Sequence, residues 1–175
     1  AHMTLGSYPD GVPPAFLADL RSKSQSDGIS RFEEVAPSAG IYDLTLAGGA
    51  VIEDFNNDGL LDIATSSWHP CVGLKLYLNG GDGRFTDATE AAGLGGQLGG
   101  LNLVQADYDN DGWVDLLVLR GGWLISDGEM RVSLLRNEAG RFTDVTAAAG
   151  LDKPARPGQV GAWADYDNDG DLDLY

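Results

Sequence analysis

Short acidic stretches recur three times in the chain, with an oxygen-bearing side chain at alternate positions. They read "DFNNDGLLD" (54–62), "DYDNDGWVD" (107–115) and "DYDNDGDLD" (165–173). Their common pattern, D-x-[DN]-x-D-G-x-x-D, places oxygens at positions 1, 3, 5 and 9 of a tight loop, with glycine at the sharp turn. Ca²⁺ takes about six to eight oxygen ligands, and a backbone carbonyl at position 7 would supply another. The spacing therefore predicts calcium loops, with Phe55 and Tyr108 pointing away from the ion.

Other interpretations of these loops fit the sequence less well. An EF-hand needs an acidic residue at position 12 between two helices, but position 12 is Thr65 in the first loop and Val118 in the second, between strand-like flanks. Zinc prefers cysteine and histidine, which the loops lack, and magnesium seldom gives up its waters to a protein cage. Metal-free turns rich in Asp and Asn are the remaining alternative.

The overall charge agrees with metal loops. The 175 residues carry a formal net charge of −16, and positions 1, 3, 5 and 9 of the three loops hold 11 of the 27 acidic residues. Such a chain is not expected to bind nucleic acid or an anionic membrane, since both are polyanions. No apolar run reaches the roughly 18 residues that membrane insertion needs. About three bound calcium ions would make this net charge substantially less negative.

A second motif repeats in phase with the acidic loops and indicates the elements that position them. "RFEEVAPSAGI" begins at Arg31, "RFTDATEAAGL" at Arg84 and "RFTDVTAAAGL" at Arg141, each 23 or 24 residues before the next loop. Within one period, "GAVIED", "LDIATSS", "LKLYL" and "RFTDAT" predict strands, and "NGGDG" predicts a hairpin turn. In "LKLYL" the leucines are expected on one side, with Lys75 and Tyr77 on the other.

Four antiparallel strands in every 50 to 60 or so residues are typical of a β-propeller blade. The sequence thus predicts an all-β fold of about three blades, the third represented by two strands, in an incomplete or oligomer-completed propeller. Open sheet edges invite pairing, so self-association, or further blades that complete the propeller, is expected.

"DYDNDGWVD" followed by "RFTDVTAAAGL" resembles the FG-GAP/VCBS-type calcium-binding propeller repeats. The family includes integrin α-subunit propellers, and the likeness is greater to bacterial secreted proteins of the cartilage-acidic-protein type. The resemblance covers Arg31 to Tyr175 and implies a secreted, calcium-stabilised propeller of about seven blades. The implied metal ligands are Asp54, Asn56, Asp58, the Leu60 carbonyl, Asp62, Asp107, Asp109, Asp111, the Trp113 carbonyl, Asp115, Asp165, Asp167, Asp169, the Asp171 carbonyl and Asp173. Asn56 replaces a carboxylate, so the first site is expected to be the weakest.

The sequence also suggests how the chain is divided into segments and in which compartment the protein is located. Residues 1–3 resemble a cloning remnant, residues 4–30 an N-terminal extension with a short helix near residues 14–26, and residues 31–175 the repeats. Cys71 is the single cysteine and excludes an intrachain disulfide. The resemblance implies a secreted, extracellular or periplasmic protein whose signal peptide is not part of this sequence.

Three functions are consistent with these features. The first is a calcium-stabilised binding or adhesion scaffold without catalysis, whose protein or carbohydrate ligand the sequence does not identify. The second is a sugar-binding lectin that uses the face opposite the calcium loops, where Trp68, His69, Arg120 and Trp123 are expected. The third is part of a propeller polysaccharide lyase, with His69 and Arg120 as acid/base and charge stabiliser. Two histidines and no hydrolase motif make an enzyme the least favoured.

Overall fold

A computed structural model describes residue 14 and residues 32–43, 46–121, 131–155 and 158–175 of the chain. Two compact units are distinguished, residues 1–34 and 35–175, and the account below concerns the second. The helix predicted near residues 14–26 lies, apart from Pro14, outside the described residues, as does Trp123. Within the described ranges, no helix has the length and apolarity needed to cross a bilayer.

In the described ranges, ten strands form two four-stranded sheets and one two-stranded hairpin. The first sheet contains β1 (Ala50–Glu53), β2 (Asp62–Thr65), β3 (Lys75–Asn79) and β4 (Phe85–Asp87). The second contains β5 (Asn102–Ala106), β6 (Asp115–Leu119), β7 (Ser133–Glu138) and β8 (Arg141–Asp144). The hairpin pairs β9 (Trp163–Ala164) with β10 (Asp173–Leu174). Each sheet is antiparallel in chain order, so the predicted blade-like architecture is confirmed, and the blades do not close into a ring.

Side chains between the two four-stranded sheets form the main core. Ala64 and Leu76 of the first sheet, with Leu74 just before β3, pack in one cluster with Leu116 and Leu135 of the second. Each leucine that is fully removed from water contributes roughly 1.5–3 kcal/mol to folding. Both faces of β3 are covered, so Tyr77, on the side away from the leucines, is only 2% exposed, whereas Lys75 stays half-buried beside Asp87.

A smaller core joins the second sheet to the β9–β10 hairpin. Leu117, Leu119 and Leu134 are buried there, and Trp163 and Leu174 pack against them. The Trp163 ring stacks on Tyr108 with ring centres 5.9 Å apart. Trp163 therefore serves packing between the hairpin and the second sheet.

A turn with the same hydrogen bonds follows each fourth-strand motif, at residues 35–41, 88–94 and 145–151. In the second copy, Ala92 N donates to Ala88 O and Leu94 N donates to Thr89 O. The glycine of each turn has positive φ, +87° at Gly40, +80° at Gly93 and +74° at Gly150. This backbone conformation explains why the "AAGL" and "SAGI" segments carry glycine at that point.

Candidate metal centres

The three acidic loops connect the first and second strands of successive blades and share one pattern of hydrogen bonds. The carboxylate at position 1 accepts the backbone N–H groups of positions 5 and 6. In the first loop, Asp54 Oδ1 is 3.1 Å from Asp58 N, and Asp54 Oδ2 is 2.7 Å from Gly59 N. The same two bonds recur at Asp107 and Asp165. The first carboxylate therefore shapes the loop and faces its interior.

The backbone of each loop turns through two left-handed residues. Position 6 is glycine, with φ between +84° and +99° in the three loops. Position 4 is asparagine in every copy, Asn57, Asn110 and Asn168, with φ of +54°, +56° and +60°. Asparagine is one of the few residues other than glycine that tolerates this region. The sequence analysis assigned no role to these asparagines, although their exact recurrence was a visible signal.

Carboxylate oxygens converge in the second and third loops. Asp107, Asp109 and Asp111 each offer an oxygen within 4.8 Å of the others, and so do Asp165, Asp167 and Asp173. Two oxygens bound to one calcium ion at about 2.3–2.6 Å are separated by at most about 5 Å, so these distances fit that ion. In the first loop Asn56 stands at position 3, and its amide donates to Asp58 Oδ2 at 3.0 Å.

Position 9 is the first residue of the second strand. Its carboxylate accepts hydrogen bonds from the loop and from the third strand, and so connects them to the second strand. Asp115 Oδ2 accepts from Tyr108 N and Oδ1 accepts from Asn137 N, at 3.1 and 2.7 Å. Asp62 makes the equivalent bonds to Phe55 N and Asn79 N. Burial raises the pKa of Asp115 to about 6, with Asp109 and Asp111 adding to the effect against the two backbone bonds. Burial likewise raises the pKa of Asp62.

The side chains at position 7 differ in type, as expected if only the backbone carbonyl of this position binds the metal. Leu60 and Trp113 are half-buried and Asp171 is exposed, so the three positions share no side-chain chemistry. Each backbone N–H donates to the carboxylate at position 5, for example Trp113 N to Asp111 Oδ1 at 2.9 Å. That their carbonyls bind metal stays a prediction.

An asparagine in the third strand joins the loops of neighbouring blades, and sequence reasoning missed it. Asn137 is fully buried, and its Nδ2 donates to Phe55 O of the first loop and to Val114 O of the second. Asn57 Nδ2 adds a bond to Gly112 O across the same two loops. Asn79 occupies the position in the first blade that Asn137 occupies in the second, which was the available signal.

Three of the residues predicted for the opposite face, Trp68, His69 and Arg120, lie in the described part of the chain. Trp68 is 39% exposed and lies beside His69, whose Nδ1 accepts from Cys71 N. Arg120 is buried and donates to Leu98 O, Gln97 Oε1 and Ser133 Oγ. Burial and the nearby Arg131 lower its pKa to about 10, so it is charged at neutral pH. These bonds give Arg120 a structural role in the second blade.

Blade-like antiparallel sheets with an identical acidic loop between their first two strands define a propeller-type repeat protein. The FG-GAP-like repeat family matches residues 54–118, which span the first loop, the rest of that blade and the second loop. Together with the relatives described next, this match supports an FG-GAP-type, propeller-like repeat architecture for the chain.

Three curated relatives carry the name cartilage acidic protein 1. The protein from Xenopus tropicalis is 31% identical over 157 residues, 86% of this chain and 24% of the relative. The Homo sapiens protein is 30% identical over 174 residues, 97% of this chain and 25% of the relative. The Mus musculus protein is 28% identical over 153 residues, which are 85% of this chain and 23% of the relative. The chain therefore spans about a quarter of the length of these relatives.

Proposed function

We propose that this chain is a calcium-stabilised extracellular scaffold, in which bound ions hold the propeller-type blades in a form that presents surface loops to a ligand. The observation that carries the proposal is the threefold repetition of one loop geometry, with carboxylate oxygens brought together in two copies. A relation to proteins named for cartilage supports an extracellular, secreted or periplasmic location. Binding or adhesion without catalysis is the activity that this arrangement favours.

Electrostatics explains why an ion would stabilise the fold. Three carboxylates within 4.8 Å repel one another, and the second and third loops each contain such a group. A divalent cation at the centre replaces this repulsion with attraction. Sites in extracellular modules bind calcium with a Kd of roughly 0.1–1 mM. At about 1 mM Ca²⁺ and a Kd near 0.1 mM, each site adds about 1.4 kcal/mol to the free energy of unfolding.

Calorimetric calcium titration of chelator-stripped protein, with a thermal melt of each sample, tests the proposal. We expect about three ions per chain and a melting temperature raised by roughly 10 °C, since about 4 kcal/mol is gained. The matched variant is Asp107→Asn with Asp109→Asn, which should lose one ion while the other two loops still bind. Absence of binding at several millimolar calcium would leave the loops as metal-free turns and remove the proposal.

A carbohydrate ligand on the opposite face is the second candidate. Trp68 lines an apolar surface pocket of about 430 Å³ with Ala47, Gly48 and Leu101. An exposed indole beside a small apolar pocket suits the apolar face of a sugar ring. A glycan array on the calcium-loaded chain tests this, with Trp68→Ala as the variant. A glycan signal that this variant retains would place binding elsewhere.

A further inference from the structure

Direct hydrogen bonds join the first acidic loop (54–62) to the second (107–115). At the surface, Asn57 Nδ2 donates to Gly112 O at 3.0 Å. Asn57 stands at position 4, between the oxygen-bearing side chains of positions 3 and 5, and Gly112 stands at position 6, next to the position 5 carboxylate. This bond therefore connects the segment that carries oxygen ligands in one loop to the corresponding segment of the other.

A second, buried connection runs between the two carboxylates at position 9. Phe55 N donates to Asp62 Oδ2, and Asn137 Nδ2 donates to Phe55 O at 2.9 Å. Asn137 N in turn donates to Asp115 Oδ1 at 2.7 Å. Consecutive hydrogen bonds through two residues thus link Asp62 of the first loop to Asp115 of the second. All four residues are at most 1% exposed, so a group that lost its partner here would not find water in its place.

Packing and a further hydrogen bond hold this connection in place. The Phe55 ring lies edge-on to Phe142 of β8, with ring centres 5.9 Å apart, so position 2 of the first loop packs directly on the second blade. Val114 O, at position 8 of the second loop, also accepts from Asn137 Nδ2, at 3.0 Å. One side-chain amide therefore binds the backbone of both loops.

The third loop (165–173) differs in its relation to the second. Tyr108 of the second loop stacks on Trp163, just before the third loop, so packing is present in this pair as well. In the part of the chain that the structure describes, however, no hydrogen bond joins residues 107–115 to residues 165–173. The second loop therefore has one neighbour with a hydrogen-bonded connection and one without.

Charge and hydrogen bonds affect a second binding event in opposite directions. A loop that has taken up a divalent cation is less acidic and attracts a cation to its neighbour less strongly, but salt screens this effect beyond about 8 Å at physiological ionic strength. The same loop is also more ordered, and Phe55 and Asn137 transmit this order to the other loop. The second loop to fill then loses less conformational freedom and binds more tightly. Buried bonds are screened little, so the ordering effect prevails.

We propose that the first and second loops bind divalent cations with positive cooperativity, coupled through Asn137, Phe55 and Asn57. The inference rests on the calcium-binding function proposed above and adds how occupancy of one loop regulates the other. Because such coupling is reciprocal, each loop raises the affinity of the other by the same factor, about fivefold or more. The hairpins β1–β2 and β5–β6, which carry these loops, therefore become ordered together over a narrow range of calcium concentration.

Calcium titration of the full chain followed by amide NMR measures the occupancy of each loop separately. Gly59, Gly112 and Gly170 are the reporters, because each N–H donates to the position 1 carboxylate of its own loop. The three glycines occupy the same position in equivalent turns, so their shifts yield a Kd for each loop under identical conditions.

A variant with an empty second loop reveals the coupling. Asp107→Asn with Asp109→Asn removes two negative charges, as many as a bound Ca²⁺ compensates, so the electrostatic effect on both neighbouring loops is matched. We expect the Kd reported by Gly59 to rise by about fivefold or more, because the first loop loses its ordered neighbour. The Kd reported by Gly170 should change by less than about twofold and is the control within the same sample.

Two further variants remove the connection but no metal ligand. In an Asn137→Ala background, emptying the second loop should change the Kd reported by Gly59 by less than about twofold. In an Asn57→Gly background, where glycine keeps the left-handed backbone, the effect should fall to half or less. Asn79→Ala and Asn110→Gly are the matched controls, at the same positions in the other blade and loop, and should retain the full effect. Amide spectra establish that each variant is folded, and Asn57→Gly decides if Asn137→Ala is not.

The possible results separate the coupling from the proposed function. If none of the three glycines shifted at several millimolar calcium, the proposed function and the coupling would both be removed. If all three loops bound calcium but emptying the second loop left the first unchanged, or weakened the first and third equally, only the coupling would be overturned. Full coupling retained in folded Asn137→Ala, or in Asn57→Gly, would also overturn it, because the bonds through these residues would not carry the effect.

Discussion

The carboxylate at position 1 of each loop has two tasks, because it accepts two backbone N–H groups and keeps lone pairs for a cation. The position 9 carboxylate is also bound to backbone, across the loop and to the third strand. The loops therefore take their shape from hydrogen bonds that need no ion. Position 3 is the one of the four oxygen-bearing positions whose charge differs between the loops, with Asn56 in the first and Asp109 and Asp167 in the others.

Replacing Asn56 tests how the residue at position 3 affects calcium affinity. Asn56→Asp adds a fourth carboxylate to the first loop, and calcium affinity there should rise on the order of tenfold, because affinity follows the ligand charge count. Titration with a competing chelator measures the change against unaltered chain. Asp109→Asn is the matched reverse exchange in the second loop and should weaken that site by a similar factor. An affinity unchanged by Asn56→Asp would show that position 3 does not bind the ion.

Asp144 gives the chain a pH dependence that is separate from the loops. Burial would raise the pKa of this carboxyl, but hydrogen bonds from Arg131 and Thr146 outweigh it and hold the pKa well below its usual range. A lowered pKa adds stability above the unfolded pKa of about 3.9, and that stability is lost as pH falls through the folded pKa. We therefore expect the melting temperature of metal-free protein to fall below about pH 4.

Asp144→Asn isolates this contribution. The variant should be less stable than the unaltered chain at pH 7, and the difference between the two should shrink as pH falls toward 3. Arg131→Gln, which removes the charged donor, should shift the acid transition to higher pH. Thermal melts in buffers of constant ionic strength provide the measurement. A difference between Asp144→Asn and the unaltered chain that is constant across this range would assign the acid lability to other carboxyls.

At the scale of elements, the strands and loops were predictable because their signals are local. The four strands of each blade and the three loops follow from alternation, turn glycines and the spacing of aspartates. The burial of Tyr77 was not predictable, because it depends on what covers the second face of a sheet. The bonds of Asn137 to two loops were also hidden, since Asn137 and Phe55 are 82 residues apart. The sequence of one blade does not indicate which residues of the next blade pack against it.

Replacing Asn137 tests how much the bonds between neighbouring loops contribute to stability. Its side chain is buried and bonds to Phe55 O, Val114 O and Gly140 N, so Asn137→Ala removes the partner of one buried and two partly buried backbone groups. Each such group costs about 1–3 kcal/mol, and we expect a total loss of roughly 2–4 kcal/mol in the free energy of unfolding. Urea unfolding in excess calcium measures it.

Asn79→Ala is the control, because Asn79 has the same position in the first blade. Its side chain bonds only to Leu61 O and Gly81 N, and both bonds are exposed to solvent. Water can replace these bonds, so the loss should stay near 1 kcal/mol or below. Equal losses in the two variants would mean that the bond between neighbouring loops adds little to stability.

At the scale of the whole molecule, charge and open sheet edges act in opposite directions. A net charge of −16 opposes association of like chains, whereas the outer edge of β10, which pairs with no strand among the described residues, favours pairing with another strand. Three bound calcium ions would change the net charge to −10, since each adds two positive charges. We therefore expect reversible self-association that strengthens with calcium, and also with salt, because both reduce repulsion.

Sedimentation equilibrium across a range of protein concentrations, with calcium or with chelator, measures this association. An average mass above 18.4 kDa that rises with calcium is the expected result. Leu174→Lys puts a charge on the β10 edge and should reduce association, whereas Leu61→Lys changes an exposed leucine outside the strands and should not. Both variants need melting temperatures to separate association from unfolding. A monomer under every condition would show that repulsion and the short length of β10 suffice to protect the edge, because a two-residue strand offers few hydrogen bonds to a second chain.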